Sequence, residues 1–194
     1  MFLTEAPVTP EVAKSFETER ASEGYVMNLS RLWAWRQDVD DAFAAARRML
    51  LKGSQLSERE VFVTVCAMAS TLGDSYCSMA FGIRLTKVSE ASAAAAVLSG
   101  HESTHLTDRE RALASWARKV VETPNSTTER DVEGLRRAGL SDREIFEATL
   151  LIAFRMAFST VNDALGAAPD HELAARLPAE LKPVIAYGRP AAEA

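Results

Sequence analysis

A short phrase occurs three times in this chain: residues 56–60 are LSERE, residues 106–110 are LTDRE and residues 140–144 are LSDRE. In each copy a Ser or Thr precedes a Glu by three positions. This is the spacing of a capping box, in which the hydroxyl and the carboxylate each accept a backbone N–H at the start of a helix. The leading Leu can pack against the helix as a hydrophobic staple. Each copy therefore predicts the first turn of an α-helix.

The first and third copies also continue alike. Val61 and Phe62 follow one, Ile145 and Phe146 follow the other, and both lead into apolar segments. This parallel suggests an internal duplication of a helical unit, but capping boxes also arise independently, so both explanations stay open.

The remaining sequence also reads as helices, because β-branched alternation is rare and Gly and Pro fall mostly at boundaries. Thr9 and Pro10 suit the N-cap and first turn of an N-terminal helix, which Gly24 ends. Further helices are predicted at about 38–51, 57–72, 90–98, 108–121, 129–137 and 142–165.

The predicted fold class is therefore all-α, a helical bundle in a single domain spanning residues 1–194. Two segments, 61–69 and 150–158, are apolar on nearly all sides. They need neighbours all round, either at the centre of the bundle or in an oligomer interface. We divide the chain into four parts. These are the N-terminal helices (residues 1–55), a first half that contains the candidate motif (56–100), a second half (106–166) and a tail with little regular structure (167–194).

The composition is that of an ordinary globular protein, with 47% hydrophobic residues, 25% charged residues and a net charge of -5. Basic residues are scattered among acidic ones, so no nucleic-acid partner is expected. The start of the chain lacks a signal-peptide pattern, and the apolar stretches are too short to span a bilayer. We expect a cytoplasmic protein without a membrane partner. No cofactor is expected, since the sequence has no Gly-rich phosphate loop.

The strongest candidate for a chemical site is the segment 73–77, GDSYC. Gly73 can end one helix and Asp74 can cap the next, which places Cys77 at its third position. The helix dipole and free N–H groups there favour a thiolate. A free cysteine is also commonly a small buried apolar residue, and Asp74 opposes thiolate formation. Cys66 lies inside an apolar helix and is more typical of core packing.

These features resemble the AhpD-like and carboxymuconolactone decarboxylase superfamily, and within it the peroxidase-related proteins. The resemblance rests on a Ser-x-x-Glu helix start, a Gly turn, the Tyr76-Cys77 helix start and Gly82. It covers most of the chain and extends to residues 24–28, 106–113, 139–144 and 162–166. It implies an all-helical homo-oligomer, a dimer or larger, with alkylhydroperoxidase-like chemistry on a small-molecule substrate.

The redox motif of that family is incomplete here. The family has a Cys-x-x-Cys pair followed by a His, with a Glu from the preceding helix that relays protons. Only the second Cys is present, as Cys77, while Asp74 stands at the first Cys and Phe81 at the His. The Glu position corresponds to Phe62. Glu60 lies two residues away, about 200° around the helix.

The resemblance therefore implies at most a one-cysteine, thiol-dependent peroxidase. A sulfenic acid on Cys77 would then be reduced by Cys66 or by an external thiol. Two alternatives stay open. One is a non-redox lyase or isomerase acting on a small organic acid, with Asp74 or Glu60 as the acid–base group. The other is a ligand-binding protein without activity. Asp74 and Glu60 also have simpler roles, as an N-cap and as part of a capping box.

Tyr76 and Arg155 are further candidates for the pocket. Tyr76 can donate a hydrogen bond to a ligand, or pack with its hydroxyl at the surface. Arg155 interrupts an apolar run and should be partly buried, which usually requires a carboxylate partner, here Asp74, Glu60 or Asp163. Its alternative role is to bind a ligand anion.

Residues 101–105, HESTH, match the H-E-x-x-H motif of zinc proteases letter for letter. That motif needs both His on one face of a helix. Gly100 precedes the segment and a new helix start follows it at once. We therefore expect a polar loop and no metal site.

Overall fold

The computed structural model describes residues 1–193, and these residues form α-helices joined by turns, with no strand among them. The predicted all-α class is confirmed. The helices are α1 Pro10–Glu23, α2 Asn28–Trp33, α3 Gln37–Gly53, α4 Glu58–Leu72, α5 Ser75–Val88, α6 Ala91–Ser99, α7 Asp108–Glu122, α8 Glu129–Arg137, α9 Asp142–Ala164 and α10 His171–Ala175.

All three repeated phrases begin helices through complete capping boxes, as predicted. At α4 the Ser57 hydroxyl accepts the Glu60 N–H at 3.2 Å, and the Glu60 carboxylate accepts the Ser57 N–H at 2.8 Å. Thr107 and Ser141 form the same arrangement at the starts of α7 and α9. Each N-cap contributes about 1 kcal/mol, because it satisfies N–H groups that have no partner inside the helix.

Helix α4 lies at the centre of the bundle, where it packs against α5, α6, α7 and α9. Its apolar segment 61–69 is buried by these neighbours, so it does not need an oligomer interface. The second apolar segment, on α9, is only partly covered. Leu151 and Ile152 are buried, whereas Ala153 and Ala157 are exposed.

Two details of the predicted boundaries were wrong. Helix α3 begins at Gln37, before the predicted Asp38 or Asp40, because it continues directly from the 3-10 turn Ala34–Arg36. Gly53 is the last residue of that helix, and Ser54 is its C-cap.

The tail has little regular structure beyond α10, as expected, but it belongs to the core. Leu177, Leu181 and Ile185 are buried in the main hydrophobic cluster. The Tyr187 hydroxyl donates to Ser78 Oγ at 2.9 Å, and Ser75 Oγ donates to the Arg189 carbonyl at 2.7 Å. The tail thus closes over the start of α5. No helix in residues 1–193 has the length and apolar character needed to cross a bilayer.

Candidate functional site

The turn between α4 and α5 has the geometry predicted from residues 73–77. Gly73 is left-handed, with φ 80°, and ends α4. Asp74 is the N-cap of α5, and its Oδ1 accepts the Cys77 N–H at 2.9 Å. Cys77 is accordingly the third residue of α5. Asp74 and Cys77 are 1% and 5% exposed, so this helix start is enclosed by the protein.

Ser159, on α9, links the Cys77 thiol to the Asp74 carboxylate. Its Oγ lies 3.5 Å from Cys77 Sγ and donates a hydrogen bond to Asp74 Oδ2. A serine hydroxyl has a single proton, so at any moment Ser159 donates either to Asp74 Oδ2 or to Cys77 Sγ. The three groups form a path along which a proton can move from sulfur to carboxylate. Sequence analysis did not identify Ser159, because no local motif surrounds it.

The Cys77 thiol is neutral in the resting protein. Burial and then the Asp74 carboxylate raise the pKa of Cys77 to about 12, while Arg155 and the contact with Ser159 act in the opposite direction. The expectation of a stabilised thiolate is therefore wrong for this state. The physical reasons are the burial of the thiol and, after it, the negative charge of the neighbouring Asp74 carboxylate.

Cys66 fits the interpretation as core packing. It is 0% exposed, and burial raises the pKa of its thiol well above the usual range. Both cysteines are free thiols.

A cavity of about 550 Å³ opens beside Cys77. Its wall is formed by apolar and aromatic side chains from several helices, among them Leu29, Tyr76, Ala80, Phe81, Ile83, Phe158 and Leu173. Basic side chains stand among them: Arg47, Arg84, Lys87, Arg155 and Arg176.

Phe81 and Phe62 pack against each other next to this cavity. Their rings meet edge to face, with centroids 5.9 Å apart. These are the positions to which the family resemblance assigns the His and the Glu. This apolar pair can neither donate nor accept a proton.

Arg155 does not have the carboxylate partner predicted for it. No ion pair joins it to Asp74, Glu60 or Asp163, and its Nε is buried without a hydrogen-bond partner in the part of the chain that the structure describes. Burial lowers the pKa of the Arg155 guanidinium to about 10. Its guanidinium instead lies over the Phe81 ring, 4.3 Å from the centroid.

Glu60 does not belong to this site. It completes the capping box of α4 and accepts a hydrogen bond from Arg109 Nε at 2.7 Å. It lies in the first turn of α4 whereas Gly73 follows the last turn, and at 1.5 Å per residue this separates them by about 20 Å. An acid–base role for Glu60 next to Cys77 is therefore wrong.

Tyr76 lines the cavity with its ring, but its hydroxyl is not at the surface. The residue is 3% exposed, and the hydroxyl donates to the Asp170 carboxylate, which also accepts the Asn28 N–H at 2.7 Å. Burial and the neighbouring Asp170 raise the pKa of Tyr76 above its usual range. The hydroxyl therefore ties α5 to the segment before α10 and is not free to bind a ligand.

The segment 101–105 is a turn without helix, as expected. His105 Nδ1 lies 3.5 Å from Glu90 at the protein surface. Within residues 1–193 no three His, Cys, Asp or Glu side chains are grouped as metal ligands.

No family model and no curated protein matches this sequence. Several solved structures share its fold. A peroxidase-related protein from Silicibacter sp. TM1040 is 25% identical with a TM-score of 0.77, over 89% of this chain and 91% of that chain. A peroxidase-related protein from Ralstonia eutropha JMP134, described as an alkylhydroperoxidase AhpD core, is 25% identical with a TM-score of 0.76, over 90% and 97%. Both are described as uncharacterised.

A third neighbour is the debrominase Bmp8, in a cysteine-to-alanine variant bound to 2,3,4-tribromopyrrole. It is 16% identical with a TM-score of 0.74, over 91% of this chain and 96% of that chain. At this identity the likeness concerns the fold alone. The resemblance drawn from the residues is confirmed at that level, and the chain has the AhpD-like fold of the peroxidase-related proteins.

Proposed function

We propose that the protein is a one-cysteine, thiol-dependent peroxidase that reduces a small organic hydroperoxide at Cys77. The observation that carries the proposal is the chain of contacts from Cys77 through Ser159 to Asp74 at the wall of the cavity. It supplies a proton acceptor for a thiol that is otherwise neutral. A thiol must lose its proton to act as a nucleophile, so this acceptor is what the reaction requires.

In the proposed reaction the Cys77 proton moves to Ser159, and the Ser159 proton moves to Asp74. The sulfur then attacks the terminal peroxide oxygen and the O–O bond breaks. The proton held by Asp74 returns by way of Ser159 and neutralises the departing alkoxide, which leaves as an alcohol. The sulfur has lost two electrons and is a sulfenic acid.

An external thiol is the proposed reductant, because Cys66 is completely buried. One thiol condenses with the sulfenic acid and releases water, which leaves a mixed disulfide on Cys77. A second thiol attacks that disulfide, restores the Cys77 thiol and leaves as a small disulfide.

An organic hydroperoxide suits the site better than hydrogen peroxide. A cavity of about 550 Å³ with apolar walls far exceeds the space that hydrogen peroxide needs. The debrominase with this fold is bound to a flat halogenated ring, which supports an organic ligand here.

The alternative of direct acid–base chemistry by Asp74 on an organic acid is less well supported. Asp74 is 1% exposed and does not line the cavity, so its carboxylate reaches a ligand only through Cys77 and Ser159. A base that removes a proton from a substrate must come within hydrogen-bond distance of it.

The test is the consumption of cumene hydroperoxide with dithiothreitol as reductant, in a Cys66→Ser background. Turnover is expected to disappear in Cys77→Ser, and dimedone is expected to label Cys77 of the active protein after one equivalent of peroxide. Hydrogen peroxide is expected to react more slowly. If Cys77→Ser retained the activity, or if no sulfenic acid formed, the peroxidase proposal would be wrong.

A further inference from the structure

The cavity beside Cys77 is basic, although the chain as a whole carries a net charge of -5. Glu23 is the single carboxylate among its described lining residues, and it pairs with Arg176, with Oε2 and Nη1 3.6 Å apart. The other basic residues that line the cavity have no carboxylate among the lining residues to balance their positive charge.

Arg47, Arg84 and Arg155 form no ion pair within 4.0 Å with any carboxylate of residues 1–193. Among the other partly buried arginines, Arg31, Arg59 and Arg109 have such a partner, whereas Arg118 and Arg189 have none within residues 1–193. For Arg155 the Nε is also buried and without a hydrogen bond. Arg155 is partly buried, and a cation withdrawn from water without a carboxylate partner costs free energy, so folding stability does not by itself explain its presence.

Aromatic rings hold these three guanidinium groups in place. Arg155 and Arg84 both lie over the Phe81 ring, at 4.3 and 4.9 Å from its centroid. Arg47 lies over the Phe158 ring at 4.6 Å. Stacking occupies the face of a guanidinium and leaves its N–H groups at the edge free for a planar anion. The arginines are therefore oriented before any ligand binds.

The three arginines and Cys77 are close enough to affect one another. After burial, the groups that act on the pKa of Arg155 are Cys77 and Asp74, which raise it, and Arg47 and Arg84, which lower it. The positive charges of these arginines repel one another, and an anion bound between them removes that repulsion.

We infer that this cavity binds a small organic carboxylate with a flat apolar body. Its anionic group lies among Arg47, Arg84 and Arg155, and its body lies along the apolar wall. The bidentate geometry of a guanidinium matches a carboxylate, and the apolar wall distinguishes an organic anion from an inorganic one. The inference deepens the proposed function and rests on it, since it names the hydroperoxide substrate as one that carries a carboxylate.

Isothermal titration calorimetry with benzoate, benzamide and inorganic phosphate tests the inference. Benzoate is expected to bind about tenfold more tightly than benzamide, which has the same ring without the charge, because a hydrogen bond between charged groups is stronger than one to a neutral amide. It is also expected to bind more tightly than phosphate. Equal affinity for benzamide would show that the charge plays no part in binding and would overturn the inference. Equal affinity for phosphate would overturn the assignment to an organic anion.

Substitutions locate the binding site. Arg155→Gln is expected to weaken benzoate binding about tenfold. Arg84→Gln, at an exposed position, is expected to weaken it less. Arg48→Gln removes the same charge from the exposed neighbour of Arg47, which does not line the cavity, and is expected to leave binding unchanged. If Arg155→Gln and Arg84→Gln both bound benzoate like the parent protein, the inference would be wrong.

Two further readouts separate this inference from the proposed peroxidase. The Tm of Arg155→Gln is expected to be unchanged or higher, because a partly buried cation without a carboxylate partner has been removed. A lower Tm would show that Arg155 has a structural role and would overturn the inference. Benzoate is expected to bind Cys77→Ser with the parent affinity, and to protect Cys77 of Cys66→Ser from iodoacetamide. Benzoate binding without peroxidase turnover would contradict only the proposed function.

Discussion

At the scale of single residues, the start of α5 and the surrounding protein act on Cys77 in opposite directions. The third position of a helix favours a negative charge. Burial and the Asp74 carboxylate favour the neutral thiol and raise the pKa of Cys77 to about 12. At neutral pH the thiol therefore reacts only if its proton is removed during the attack, and Ser159 connects it to the carboxylate that can do so.

Asp74→Asn separates these two effects of the carboxylate. Asparagine keeps the N-cap. Loss of the negative charge lowers the pKa of Cys77, because Asp74 is one of the groups that raise it. In a Cys66→Ser background we expect faster alkylation by iodoacetamide, with a profile shifted to lower pH. Loss of the base should slow sulfenic acid formation with cumene hydroperoxide at pH 7 on the order of 10²-fold.

Ser159→Ala is the matched variant, because it interrupts the proton path and keeps the charge of Asp74. It is expected to slow peroxide attack without the increase in alkylation. The base assignment fails if Asp74→Asn accelerates peroxide attack in parallel with alkylation.

At the scale of helices, the repeated phrase acts both within each helix and between helices. Its Ser or Thr and its Glu form the capping boxes. In two of the three copies the Arg reaches another copy: Arg109 Nε and Nη2 lie 2.7 and 2.6 Å from Glu60 and Glu144, and Arg59 Nε lies 2.8 Å from Glu110. The third Arg, Arg143, pairs instead with Glu147 on its own helix. The starts of α4, α7 and α9 are thereby joined. Whether the phrase arose by duplication stays a prediction.

Arg109→Met is expected to lower the free energy of unfolding by about 2 kcal/mol, because it leaves two largely buried carboxylates without their shared cation. Arg111→Met is the control. Arg111 pairs with the exposed Asp108 one turn away on the same helix, and such a pair contributes about 0.5 kcal/mol or less. Urea unfolding followed by circular dichroism measures both. If both variants lowered the free energy of unfolding equally, the ion pairs between the helix starts would contribute nothing to stability.

At the scale of the whole molecule, the tail closes the fold over the site. Gly188 has φ 71°, and a Cβ there would lie 2.5 Å from the Gly73 carbonyl and 2.9 Å from the Ser75 nitrogen. This close approach places the tail against the turn that positions Asp74 and Cys77.

Gly188→Ala is expected to destabilise the protein by about 1–3 kcal/mol, because a left-handed backbone and a contact with main-chain atoms are both unfavourable for alanine. Displacement of the tail from the start of α5 should also speed alkylation of Cys77 and amide hydrogen exchange at residues 75–78. Gly134→Ala, inside α8 where a Cβ would make only an ordinary contact with the Arg137 side chain at 3.8 Å, should instead be neutral or stabilising. Unchanged stability and alkylation in Gly188→Ala would contradict this role of the tail.

Self-association stays a prediction at this scale. Helix α3 contains no buried residue and exposes Val39, Met49 and Leu51, and α9 exposes Phe146. We propose that a second copy of the chain covers this apolar surface, which light scattering after size exclusion would test through the mass.

The sequence by itself determined the helices and the local geometry at Cys77. Capping boxes, the Gly73 turn and the Asp74 N-cap depend on hydrogen bonds within a few residues, so they are visible as spacing in the chain. The family resemblance extended this to the fold, whereas its assignment of the missing Cys and His to Asp74 and Phe81 stays a prediction.

Only the tertiary structure decided what surrounds the thiol. Ser159 and Arg47 come from α9 and α3, and no local spacing connects them to Cys77. The protonation of the thiol and the unpaired state of Arg155 depend on burial and on charges brought together from distant segments. Such effects act through space and fall off with distance in three dimensions, so the order of residues along the chain does not record them.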